Sequence, residues 1–302
     1  MRILLTGGTG LIGQALCHYW ASKNYELIVW SRKPEKVAQL CSGACGIATL
    51  AQLEGAKPLD AVINLAGAPI ADRPWTATRR QLLWSSRVDL THQLVEWMAH
   101  QPQKPRVLIS GSAVGWYGDG GDHILDESSL PSQTNFGSQL CMAWEQAAEC
   151  ARQYGIRVVL LRTAPVLSTK GGMLARLRLP FRLGLGGPIG SGQQWMPWIH
   201  IDDQVNLIDY LLQQSQSSGA FNACAPEPVK NTEFTQIFAH VLHRPARLPI
   251  PAWAIRLALG EMSVLLLEGQ RVVPKLALEH GFKFAYPVLD KALFDLLNDH
   301  VY

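Results

Sequence analysis

Three observations predict a doubly wound α/β fold, a parallel sheet with helices on both faces. Short apolar runs alternate with stretches of helical periodicity up to about residue 165. Three of those runs, DAVINL (60–65), RVLIS (106–110) and RVVLLR (157–162), are apolar almost throughout, as strands covered on both faces are. The first strand also passes directly into a glycine-rich turn, TGGTGLIG, which opens a helix.

The elements follow in order. Residues 2–6 form a short apolar strand. Leu11, Ile12, Ala15, Leu16, Tyr19 and Trp20 recur at helical spacing behind it. Residues 26–30 read as the second strand, and Pro34 opens a short helix at a position proline tolerates. A weak strand is expected near 46–50, then DAVINL. A long helical region follows, with Val88, Thr91, Leu94, Val95 and Met98 on one stripe. RVLIS, a helix from about 136 to 154, and RVVLLR complete the alternating part.

Beyond residue 165 the pattern changes. GLGGPIGSGQQWMP (184–197) holds too many breakers for a regular element. WIHIDD (198–203) is strand-like and leads into a helix expected to be capped near Asp202, with Val205, Ile208, Leu211 and Leu212 inward. From about Pro249 short helices with proline breaks are expected. The division is therefore 1–165 for the sheet domain, 166–248 for a substrate-side region interleaved with the sheet, and 249–302 for a helical C-terminal domain. The smaller part is expected over the sheet's carboxyl edge, where ligands of such sheets bind.

With 302 residues, 48% of them hydrophobic and 17% charged, the chain can bury a full core. A net charge of +3 with scattered basic residues excludes a nucleic-acid surface. No apolar stretch approaches the ~20 residues that span a bilayer, and no signal-peptide pattern opens the chain. Cys41 and Cys45 have metal-like spacing but lack a second ligand pair, so no metal is expected, and reduced thiols point to the cytosol. The partner expected is a small-molecule substrate, with no nucleic acid or membrane, on a monomer or homodimer.

The turn carries the chemistry. Gly8, Gly10 and Gly13 fit the Gly-x-Gly-x-x-Gly fingerprint of a Rossmann dinucleotide site, and Gly7, Gly10 and Gly13 the related Gly-x-x-Gly-x-x-Gly spacing. The glycines let the backbone approach a pyrophosphate, which the free N–H groups of the helix start can hold. Thr6, Thr9, Leu11 and Ile12 complete the expected cradle. At the end of the second strand, Ser31 and Arg32 stand where an acidic residue would select NAD(H). A guanidinium there can hold a 2′-phosphate, so NADP(H) is expected in preference to NAD(H).

Taken together, these motifs resemble the extended, epimerase-like branch of the short-chain dehydrogenase/reductases. TGGTGLIG is similar to that branch's cofactor loop, and NLAG (64–67) to a segment whose backbone (Leu65, Ala66, Gly67) runs close to the cofactor. SGSAVGWYG (110–118) resembles the segment carrying a catalytic Ser, and LRTAPVL (161–167) the strand end that passes the nicotinamide. LAGAPIADRPW, GGPIGSGQQWMPWIHIDD and GEMSVLLLEGQRVVPKLALEHGFKF resemble an atypical epimerase-like family carrying a C-terminal domain of unknown function, DUF1731. The resemblance implies an oxidoreductase or epimerase-like enzyme on a small substrate, sugar nucleotides included.

One departure stands out. Where the superfamily has Tyr-x-x-x-Lys, this chain has FGSQL, with Phe136 for the Tyr and Leu140 for the Lys. Phenylalanine exchanges no proton. Loss of both residues supports the alternative, an NADPH-binding sensor or regulator without turnover. The remaining catalytic candidates are Ser112, matching the family Ser or else capping a loop, and Tyr117, catalytic or else shaping the pocket. Arg162 binds cofactor or substrate, or closes a salt bridge. Gly187, Trp195, Trp198 and His200 are candidates for the substrate rim, with core packing the competing account of the tryptophans and of His200. Asp202 or Asp203 is expected as a helix cap.

Overall fold

A computed structural model describes residues 1–132 and 134–298. Its centre is a seven-stranded sheet in which every pairing is parallel, in the order Gly219–Ala223, Arg157–Thr163, Val107–Ala113, Ala61–Asn64, Arg2–Thr6, Glu26–Trp30 and Cys45–Ile47. The chain starts in the interior of the sheet, winds outward to one edge, then returns to build the other. The order therefore reverses beside Arg2–Thr6, which is where a doubly wound sheet opens a crevice at its carboxyl ends.

Strand alternation sorts the core. Ile3 and Leu5, Val107 and Ile109, and Val159 and Leu161 enter one core, with Leu16 and Trp20 of the Leu11–Ala21 helix. Leu4, Leu108, Val158 and Leu160 enter the other, with Leu94, Val95 and Met98 of the Leu90–His100 helix. The apolar run on each strand thus serves two faces at once. The long helical region is one helical path from Ala77 to His100, with a π-helical turn at Ser85–Asp89.

A third core lies beyond the strand ends, built on Leu174 and Phe181 of the Gly172–Arg182 helix, Phe234 and Phe238 of Asn231–Val241, and Leu293 of Leu289–Asn298. Trp198 belongs to this core: it is 1% exposed and its Nε1 donates to the Glu227 carbonyl at 3.1 Å. The expectation of a rim tryptophan is corrected at that position.

The cap of the Ile201–Gln213 helix also differs. His200, not an aspartate, is the N-cap, its Nδ1 accepting from Asp202 N at 3.1 Å. Asp203 is buried and accepts from Ala285 N and Tyr286 N, tying the C-terminal region to this helix. No helix among the described residues is long and apolar enough to cross a membrane.

Candidate functional site

The glycine turn is built for close approach. A Cβ on Gly7 would fall 2.5 Å from the Leu65 carbonyl oxygen, and one on Gly13 2.4 Å from that of Gly7. Gly7 also sits at φ +71°, in the left-handed region that favours glycine. Gly10 caps the Leu11–Ala21 helix without a side-chain cap, and no acidic residue stands in its first turn. The backbone N–H groups of that helix start are thus left to an anion, as a pyrophosphate site requires. Leu65, Ala66 and the exposed Gly67 form the facing wall. The fit to a dinucleotide is good.

Thr6 plays a different part from the one expected. Its buried hydroxyl donates to Asn64 Oδ1 at 2.7 Å and accepts from Ala66 N at 3.1 Å. Asn64 in turn donates to Thr91 and Ser110. Thr6 therefore braces the NLAG turn against the glycine turn. Arg32 is exposed and enters none of the ion pairs among the described residues, while Ser31 Oγ accepts from Lys33 N.

Across the turn lies a cation that no sequence motif announces. Arg87, on the π-helical turn, donates to the Ala68 carbonyl at 3.0 Å and to that of Leu83 at 3.3 Å. Its guanidinium packs so near Gly67 that a Cβ there would lie 2.8 Å from its Cζ. Burial pushes its pKa down to about 10, and nearby Arg79 pushes the same way. Leu140, where the family has a Lys, is buried in the apolar cluster with Trp144, and Arg87 stacks on that Trp144 ring.

A cavity of about 350 Å³ opens at the carboxyl ends of the strands Val107–Ala113 and Arg157–Thr163. Ala113 and Thr163 form its floor, Ile70, Trp75, Phe181 and Phe234 its walls, and Gly187 and Trp195 part of its rim. Gly187 is held by a close backbone approach, since a Cβ would meet the Leu248 carbonyl oxygen at 1.9 Å. Trp195 Nε1 donates to Asp122 at 2.7 Å, and Arg271 lies over its ring. No Lys, Arg or His is among the described residues that line the cavity, and its one carboxylate is Glu268.

Ser112, Tyr117 and Arg162 do not reach this cavity. They form a buried network beside it. Ser112 Oγ donates to Glu145 Oε1 at 2.6 Å, and Arg162 closes a two-pronged pair on the same carboxylate at 2.9 Å per bond. Arg162 also donates to Tyr117 Oη at 3.1 Å and stacks 3.4 Å from the centre of the Trp116 ring. Tyr117 Oη donates to Asn222 at 2.7 Å, and burial pushes its pKa up to about 12 despite Arg162. A phenol so held is a poor acid–base group at neutral pH. The expectations of a catalytic Ser112, a catalytic Tyr117 and a cofactor-binding Arg162 are corrected: each polar atom is spent inside the network.

His200 is corrected as well. It is buried and stacked on Tyr286, with Nε2 facing Asp295 at 3.3 Å, and it lines a separate groove beside the Leu11–Ala21 helix. His200, Asp202 and Asp295 bring potential ligand atoms within 4.8 Å of one another. With Nδ1 accepting the cap bond, the ring carries its proton on Nε2, which suits donation to Asp295 better than metal ligation.

A Rossmann cradle with an apolar cavity over the strand ends defines a dinucleotide-dependent protein of the short-chain dehydrogenase/reductase type. The chain belongs to the NAD dependent epimerase/dehydratase family, whose model matches residues 3–224, and a domain of unknown function (DUF1731) matches residues 250–296. It is 37% identical to the epimerase family protein YfhF of Bacillus subtilis, covering 99% of both chains. It is 37% identical to the mouse epimerase family protein SDR39U1, covering 98% of this chain and 100% of that one. The human epimerase family protein SDR39U1, solved with NADPH, superposes with a TM-score of 0.89 at 35% identity, over 98% of this chain and 99% of that one.

Proposed function

We propose that the protein is an NADP(H)-dependent oxidoreductase acting on an uncharged, largely apolar carbonyl compound or the corresponding alcohol. The observation that carries this reading is the lining of the cavity over the strand ends: mostly aliphatic and aromatic side chains, with a few amides and threonines, one carboxylate and no cation among the described residues. A sugar nucleotide brings a diphosphate, which calls for cations or helix ends to hold it. The cation-free lining therefore favours a neutral substrate over the nucleotide sugars that the family resemblance implies.

Bound NADPH supplies the hydride. The chain's own residues do the rest. Backbone N–H groups at Leu11–Gly13 would hold the pyrophosphate, Arg32 the 2′-phosphate, and Leu65–Gly67 the face opposite. Arg87, beside Gly67, would restore the positive charge lost with the family Lys. Ile70, Trp75, Phe181 and Phe234 exclude water around the acceptor, which strengthens every polar contact inside. The six free cysteines suit a reducing compartment such as the cytosol.

The test is NADPH oxidation by the full chain with acetophenone or cinnamaldehyde, and product analysis after incubation of UDP-glucose with the chain and NADP⁺. Reduction of either neutral carbonyl supports the reading. Conversion of UDP-glucose alone overturns it. NADPH binding without binding or turnover of any of the three compounds favours the sensor that loss of the Tyr and Lys suggests.

A further inference from the structure

We propose that Glu268, delivered by the C-terminal region, is the group that exchanges a proton with the substrate oxygen in this cavity. The inference rests on the oxidoreductase reading above and adds the proton that reading leaves unassigned.

Asn135 caps the Phe136–Glu149 helix, its Oδ1 accepting from Ser138 N at 2.9 Å. The next residue is Phe136, which stands where the family places its proton-exchanging Tyr. Phe136 packs edge-on to Trp75 and lies under Arg80, and the cavity wall here is made by Asn135 and Gly137. The other hand of Asn135, its Nδ2, donates to Glu268 Oε2 at 3.2 Å. A carboxyl group is therefore tethered one residue from the missing phenol, and it lines the same cavity.

Position is backed by rigidity. Gly269 N donates to Asp119 Oδ1 at 3.2 Å, and its carbonyl accepts from Gly120 N at 3.0 Å. Gly269 also packs so tightly on Trp195 that a Cβ would meet Trp195 N at 2.4 Å. Gln270 N donates to the Trp195 carbonyl. The segment bearing Glu268 is thus clamped between the Asp119–Gly120 loop and the strand Trp195–Met196, as a positioned acid requires.

Chemistry leaves few rivals. The other ionisable side chain lining the cavity is Cys141, whose thiol burial pushes up to about 12. Glu268 faces Asp119 and Asn135; burial raises its pKa, Asp119 raises it further, and Asn135 opposes both. That moves a carboxyl toward the range in which it can both give and take a proton near neutrality. In the reductive direction the hydride of NADPH forms the new C–H bond as the carbonyl π bond breaks. The displaced electron pair takes the proton of Glu268, forming the O–H of the alcohol. NADPH becomes NADP⁺, and the carboxylate regains its proton from water. The reverse direction starts from the carboxylate.

The experiment compares wild type with Glu268→Gln, which keeps the shape and the Asn135 contact but does not titrate. Acetophenone and cinnamaldehyde are bound to the NADP⁺ complex and reduced by the NADPH complex, each across pH. In wild type, binding and reduction both weaken as pH rises through the Glu268 pKa. In Glu268→Gln, binding becomes independent of pH and reduction falls by about 10²–10⁴-fold, with NADPH affinity and thermal unfolding unchanged. Probe binding whose pH dependence is the same in both proteins overturns the role of Glu268 and leaves the cavity reading standing. A wild type that binds neither probe overturns the cavity reading, and the assignment with it.

Discussion

Ser112 Oγ points to Glu145, donating to its Oε1 at 2.6 Å from within the strand that ends in the cavity floor. The hydroxyl is a third hand on a carboxylate that Arg162 already grips twice. Ser112→Ala is therefore expected to cost about 1.5–3 kcal/mol of stability, the range for a hydrogen bond to a charged group. NADPH affinity and carbonyl reduction should stay near wild type. Urea unfolding beside a cofactor titration and a rate measurement checks this; a large loss of turnover at unchanged stability would return the serine to the substrate.

Glu145 and Arg162 are a buried pair, with side chains 9% and 5% exposed. Removing either partner strands a charge that also serves Ser112 or Tyr117. Glu145→Ala and Arg162→Met are each expected to destabilise by about 3–5 kcal/mol. The double variant should cost clearly less than their sum, because it strands neither charge. A double-mutant cycle measured by chemical unfolding decides, and strict additivity would mean that the pair does not interact.

Much of the cofactor side was legible in the sequence, because it is written in local chain geometry. Gly7 and Gly13 are demanded by backbone contacts at the end of the neighbouring strand or within a few residues, and Gly8 by the Val29 side chain. The substrate side was not. Trp195 and Trp198 lie three residues apart, yet one reaches the cavity and the other the third core, a choice made by helices distant in sequence. Ser112 and Ala113 are neighbours on one strand, and alternation sends Ala113 to the cavity and the serine to Glu145. Glu268 meets Asn135 across 133 positions, a pairing no periodicity announces.

His200 gives the fold an acid-sensitive point. Burial holds its pKa below the ordinary 6.5, outweighing Asp202, Asp295 and Asp203, which pull it up. Between that lowered value and 6.5 the unfolded chain binds more protons than the native one. The stability due to neutral His200 is thus complete above about 6.5 and is lost as pH falls towards the native pKa. His200→Asn keeps an acceptor for Asp202 N but does not titrate, so its melting temperature should fall less steeply on acidification. Asp203, whose pKa burial raises while its backbone donors and His200 pull it down, contributes a slope of the opposite sign in both proteins. Thermal melts across mildly acidic pH provide the comparison; parallel curves would remove His200 from the account.

Arg32 and Arg87 approach the cofactor site from opposite sides and should be separable. Arg32 is exposed at the end of Glu26–Trp30, where a 2′-phosphate would lie, whereas Arg87 packs on Gly67. The charge-assisted hydrogen bond that Arg32→Ala removes is worth about 1.5–3 kcal/mol, so NADPH affinity should fall roughly 10–100-fold while NADH affinity holds. Arg87→Met removes a charge that does not distinguish the two cofactors, so both affinities should fall together. Titrating each protein with NADPH and NADH by fluorescence gives all four numbers. Equal wild-type affinity for the two cofactors, unchanged in Arg32→Ala, would overturn the NADP(H) preference. Loss confined to NADPH in Arg87→Met would instead place the 2′-phosphate beside Gly67.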